Sequence, residues 1–188
     1  MRPVRRREGG DPLLAAEPYM IVFRFIHILG GVLWVGSTFL LTVFIGPSAA
    51  EVGPAAGPIL HKLVVEKRVT QVITSIAIVT VSAGLFVYWH DVQAFGSLGN
   101  FVGTAFGFAL TIGAVFGIAA AIWGSTKVGA KIDEMVHYAD GAMPAEGPPP
   151  AEVIAELDRH GAQLKTNSII DLALQVGAVI MMSTARYW

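Results

Sequence analysis

Four long apolar runs separated by shorter polar stretches dominate the chain. A hydrocarbon layer about 30 Å thick is crossed by roughly 20 residues of α-helix at 1.5 Å each, which matches the length of these runs. The first extends from about Tyr19 to Ile45, the second from about Val69 to Trp89, the third from about Phe101 to Gly124 and the fourth from about Ser168 to Tyr187. None is built from the short alternating segments of a barrel, and unpaired backbone is too costly in lipid, so each run is expected to be a helix. Gly46 and Pro47 follow the first run, and the proline is expected to end its helix there. The expected fold is all-α: an integral membrane antiparallel four-helix bundle over residues 19–188, preceded by a polar tail at residues 1–18.

The links between runs 1 and 2 and between runs 2 and 3 are short, so neighbouring helices should run antiparallel and both termini should share one side. Tyr19, Tyr88, Trp89, Tyr187 and Trp188 all fall at that level, as an aromatic belt at a lipid interface would. The one sizeable extramembrane segment spans 127–165 and contains the flexible stretch GAMPAEGPPP. After Pro150, Val153, Ile154, Leu157 and Leu164 recur amphipathically, so the fourth helix is expected to start outside the membrane and enter it near Thr166. Basic residues divide almost evenly, with Arg2, Arg5, Arg6, Arg7 and Arg186 on the terminal side and Lys62, Lys67, Arg68, Lys127, Lys131, Arg159 and Lys165 opposite. The second group flanks three runs, which favours its side as cytoplasmic.

Composition sharpens this picture. Of 188 residues 54% are hydrophobic and only 14% charged, against about a quarter charged in an ordinary soluble domain. A net charge of -1 with scattered basic residues argues against a nucleic-acid partner. The chain has no cysteine, which excludes disulfides, thiolate metal sites and cysteine nucleophiles. The first apolar run is too long for the core of a cleaved signal peptide and is expected to remain as a mature span. No phosphate loop, paired-carboxylate site, nucleophile triad or zinc-type histidine cluster is present, so hydrolytic and nucleotide-driven chemistry is not expected.

Ionisable groups inside spans are expensive and mark candidate sites. Arg24, His27, Gly31, Trp34 and Thr38 recur at spacings of three and four and so share one helical face. His27 lies roughly 12 Å inside its helix, where an imidazole needs either a hydrogen bond within the bundle or a metal or haem iron. Gly30 and Gly31 beside it leave room for a close helix or a flat macrocycle. Arg24, one turn away, could clamp a propionate or a headgroup, or extend to the interface. Were His27 to hold iron, the second ligand would be His90, Met181 or Met182, or the site would be five-coordinate.

At the other end, His61, Glu66, Lys67 and Arg68 precede the second run, while Asp171 and Gln175 sit just inside the fourth. Arg68 and Asp171 have matching depth, which suggests an ion pair; a proton or cation path from Asp171 is the alternative. His137 and His160 are expected to be solvated. Gly103 with Gly107, and Gly113 with Gly117, have the spacing that lets helices approach closely.

The stretch RFIHILGGVLWVGSTFLL, with His27, Trp34 and Gly36, resembles the first helix of the CopD-like superfamily of bacterial membrane proteins. The EKR cluster before the second run and the MMSTARYW ending also resemble that superfamily's four-helix module. It groups copper-resistance D proteins, uncharacterised membrane families and the membrane part of a cytochrome-linked urate oxidase. A more distant likeness is to HemJ-type protoporphyrinogen oxidases, haem-binding four-helix proteins with the same spacing as Arg24, His27 and Trp34. The proline, arginine and histidine closing that helix in the oxidase are replaced here by Thr42, Val43, Phe44, Ile45 and Gly46, so the oxidase activity is not carried over.

These resemblances imply a multi-pass protein of the bacterial cytoplasmic membrane in which His27 is a haem or metal ligand, and the shared face and matching depth add Arg24, Gly31, Trp34 and His90 as candidate cofactor contacts. The leading expectation is a b-type haem protein that exchanges electrons with a quinone or a partner redox protein. Two alternatives stand beside it. One is a non-catalytic scaffold subunit of a larger complex or a homo-oligomer; the other is a carrier of copper or another cation, with His27, Met181 and Met182 as transient ligands and Asp171 as a proton-coupled site, His90 being a further candidate metal ligand.

Overall fold

The computed structural model describes residues 18–144 and 147–188. The arginine-rich tail with Arg2, Arg5, Arg6 and Arg7, and residues 145–146 of the GAMPAEGPPP stretch, lie outside the described residues. All regular structure among the described residues is helical. Four helices are long and apolar enough to cross a membrane.

The first is α1 (Pro18–Leu40), which does not stop at Gly46 and Pro47. It passes through a π turn (Leu41–Ile45) into α2 (Gly46–Val52), a 3-10 turn (Gly53–Ala56), α3 (Gly57–His61) and a second π turn (Lys62–Glu66). The expected stop fails for a local reason. The Gly46 N–H reaches back five residues to the Leu41 carbonyl, and Pro47 then sits in the first turn of α2, where a missing N–H costs least. Gly53, at a φ of 67°, makes the break the proline did not.

The second long helix is α4 (Val69–Ala94), entered through Arg68 in a left-handed conformation. A turn at Gly96 leads to the short α5 (Leu98–Val102), capped by the Ser97 hydroxyl, and then to α6 (Ala105–Trp123). Thr104 begins α6 by accepting from the Gly107 N–H at 3.0 Å, so the third run is interrupted after Phe101 rather than continuous from it. A π turn (Gly124–Gly129) joins α6 to α7 (Ala130–Ala142). Finally α8 (Ala151–Thr184) runs unbroken through the polar segment into the fourth apolar run, as its amphipathic start predicted, and ends in a 3-10 turn (Ala185–Tyr187).

Helix α1 packs chiefly on α4, and α6 on α8. Contacts pair rising numbers on one helix with falling numbers on the next. Arg24 meets Asp91 and His27 meets Thr80; Tyr88 bonds Thr111 and Thr70 bonds Asp133; Met182 lies against Gly113 and Asn167 against Trp123. Across the remaining side, Thr38 of α1 meets Gln175 of α8. Trp34, Ala77 and Ala120 form the central core cluster, with Leu174 packed on it.

The interior is small-residue packing: Ala77, Ala83, Ala109, Ala120 and Ala178 are buried beside Thr38, Thr80 and Ser168. Large apolar side chains face outward instead, among them Phe25 at 62% exposed and Val32 at 66%. In water that arrangement would leave the hydrophobic surface unburied, whereas small residues at contacts are how helices associate in lipid.

Candidate functional site

The predicted face of α1 does turn inward at two of its positions, Trp34 and Thr38, and against α4 at His27. The His27 Nδ1–H donates to the Thr80 carbonyl at 2.8 Å, since a carbonyl can only accept. In the neutral ring this leaves the lone pair on Nε2. The ring lies over Gly84: a Cβ at that position would stand 2.6 Å from both Nδ1 and Cε1. One turn on, Gly30 meets the Thr80 side chain so closely that a Cβ would collide with its Oγ1, while Gly31 has only the Thr80 methyl at 3.9 Å. The glycines beside His27 therefore admit a neighbouring helix.

The other predicted residues are dispersed. Arg24 is exposed and reaches Asp91 at 3.5 Å. His90 stands six residues beyond Gly84 on α4, roughly 9 Å along its axis, where its ring meets Tyr19 edge-on and its Nδ1 is 3.8 Å from Asp91. Met181 and Met182 cover Gly113 between α6 and α8, not the α1–α4 contact that holds His27. No cluster of three or more His, Asp or Glu side chains suited to a metal occurs among the described residues.

The second group gathers differently. Arg68 and Asp171 form no ion pair; Arg68 is exposed at the start of α4. Asp171 instead lies against the backbone of Gly124, where a Cβ would come within 3.1 Å of both its oxygens. The Gln175 amide donates to Asp171 Oδ2 at 2.9 Å and to Thr38 Oγ1 at 3.1 Å, tying α8 to α1. Asp171 and Gln175 are 3% and 2% exposed, and Asp171 Oδ1 and Gln175 Oε1 have no hydrogen-bond partner among the described residues.

No protein-family model, characterised protein or solved structure matches this chain.

Asp171 forms part of the wall of a cavity of about 940 Å³. Trp34, Thr38, Ile73, Ala77, Ala121 and Ser168 surround its inner part; His61, Asp140, Asp158 and Lys165 are among its outer residues. His61 Nε2 approaches Asp140 at 3.3 Å. Nothing local in the sequence announces this space, because it is formed where the α1 extension, α4, α7 and α8 diverge.

His137 is exposed, as expected, with Nδ1 bonded to the Asp133 carbonyl. His160 is not solvated: it is 4% exposed, with Nε2 3.2 Å from Glu156 and its ring beside Tyr138. The spacing of Val153, Leu157, His160 and Leu164 puts it on the apolar stripe that packs on α7, a signal that was readable.

Proposed function

We propose that the four long helices cross a lipid bilayer as an antiparallel bundle, with Pro18 and Trp188 at one face, and that the protein is a b-type haem carrier exchanging electrons with a quinone or redox partner. The membrane part is supported by the outward Ile, Val, Phe and Leu side chains over a small-residue interior. The haem part rests on one observation, the 2.8 Å bond from His27 Nδ1 to the Thr80 carbonyl. A backbone acceptor on Nδ1 orients a ligating imidazole, fixes its tautomer and raises the basicity of Nε2. His27 would hold such a group through Nε2, and the group would supply reversible one-electron storage. Around it the chain's own residues set the ring plane: Gly84 supports it and Thr80 holds it. Arg24, now paired with Asp91, would be the residue to hold an anionic substituent of that group.

The test is a reduced-minus-oxidised spectrum with a pyridine haemochrome assay on the detergent-purified protein. A b-type signal close to one haem per chain, lost in His27→Ala while the variant still fractionates with membranes, is expected. A colourless protein made with ample haem would refute it. Because the chain lacks cysteine, single cysteines at Ser97 and Glu51 report topology directly. They should label from opposite faces of oriented vesicles.

A second reading, carriage of a cation, is favoured by Asp171, a buried carboxylate with one unpartnered oxygen at the wall of a large cavity. Uptake in vesicles, abolished by Asp171→Asn, is its test.

A further inference from the structure

The cavity that contains Asp171 has features that name the class of its occupant more narrowly than "a cation". We infer that it binds an organic cation, a protonated amine carried on an apolar body; this rests on the second reading above.

The inference starts from charge. Asp171 forms no ion pair with any described lysine, arginine or histidine. Gln175 occupies Oδ2 with an uncharged amide and leaves Oδ1 open. The single lysine lining the cavity, Lys165, is exposed and lies six residues from Asp171 on α8, about 9 Å along the axis. Asp140 and Asp158 add two carboxylates to the same lining. A buried carboxylate without a counter-ion is costly, and a cationic donor relieves that cost by binding Oδ1.

Size and wall chemistry then choose among cations. A volume of about 940 Å³ is at the upper end for small-molecule pockets and far exceeds the space of a bare ion. Hydroxyls of Thr38 and Ser168 share the lining with Asp171, while its imidazole and thioethers, His61, Met135 and Met143, come from α3, α7 and the residue after α7 rather than from the α1 and α8 segments that carry Thr38 and Asp171. Trp34, Leu41, Val64, Ile73 and Ala77 are among the lining residues and match a hydrocarbon or aromatic body. Trp34 also supplies an indole to which an ammonium group is attracted.

The experiment uses the full chain in lipid nanodiscs and calorimetric titration with two probes of nearly equal shape, 1-naphthylmethylammonium and neutral 1-naphthalenemethanol. A charge-assisted hydrogen bond implies that the amine binds about tenfold tighter or more than the alcohol. Asp171→Asn should erase that preference and leave alcohol binding nearly unchanged. Gly124→Ala, whose new Cβ would stand 3.1 Å from both Asp171 oxygens, should weaken the amine more than the alcohol. Gel filtration and thermal melting of each variant separate a lost site from a lost fold. Equal binding of both probes, or an amine preference that survives Asp171→Asn in a folded protein, overturns the assignment. If the amine fails to bind but vesicles take up cuprous or sodium ion in an Asp171-dependent way, the organic class is wrong and cation carriage stands; if neither occurs, both readings fall.

Discussion

The contact of His27 with Gly84 makes a quantitative prediction because the imidazole ring lies directly over the glycine. In Gly84→Ala the new Cβ would stand 2.6 Å from the His27 Nδ1 and Cε1 atoms. Ordinary carbon contacts begin near 3.5 Å, so the ring must retreat by roughly 1 Å. That displacement stretches the 2.8 Å bond to Thr80 past hydrogen-bonding range. Overpacking costs about 1–3 kcal/mol and an interhelical hydrogen bond in lipid contributes about 0.6 kcal/mol. Alanine's better helix propensity returns about 0.5–1 kcal/mol, which leaves a net loss of about 2 kcal/mol. In a His27→Ala background the three nearest atoms to the new Cβ are gone, and the same substitution should stabilise by that propensity. The coupling is therefore about 2.5 kcal/mol, measurable by reversible unfolding in mixed detergent micelles followed by tryptophan fluorescence. Additivity within about 0.5 kcal/mol would show that the ring does not rest on Gly84.

Other substitutions separate tight from open positions. Gly107→Ala drives a Cβ into the Phe101 carbonyl, a backbone atom under a fully buried ring, and should cost about 3 kcal/mol or prevent folding. Gly117→Ala, with nothing within 4 Å of the new Cβ, should raise the melting temperature, since alanine is favoured over glycine by about 0.5–1 kcal/mol. Gln175→Leu removes the donor shared by Asp171 and Thr38 and should destabilise by about 2–3 kcal/mol in the same micelle assay; a neutral result would place that network outside the bundle's stability. Asp91→Asn breaks the pair with exposed Arg24 and should change stability by less than about 0.5 kcal/mol.

Much of the fold was legible because depth along a helix follows from a fixed rise of 1.5 Å per residue. The four apolar runs, the amphipathic entry of α8 and the inward positions of Trp34 and Thr38 all come from that regularity and its 3.6-residue period. Pro47 shows its limit. Proline ends a helix only if the preceding carbonyls have no other arrangement, and the five-residue reach of Gly46 to Leu41 gives them one. No propensity argument at Pro47 itself contains that information, because the π turn is formed by residues two to six positions earlier.

The site was legible in a different measure, for a geometric reason. Depth puts Arg68 and Asp171 at one level, and equally puts His27 near Met182, but a partner also needs the right azimuth. Each residue turns a helix by 100°, so an error of one residue in the facing direction moves a side chain from one neighbour to another. Asp171 accordingly meets Gly124 and Gln175, and His27 meets Thr80. Glycine was the readable clue at both places. Gly84 and Gly124 have little helical merit, and each accommodates a polar side chain from another helix where a Cβ would displace it. The cavity, by contrast, lies between the α1 extension, α4, α7 and α8, and no single segment encodes a space made by the divergence of four. What the chain does encode is a buried residue able to give that space a chemistry, the Asp171 carboxylate, placed within an apolar run with no cation one turn to either side.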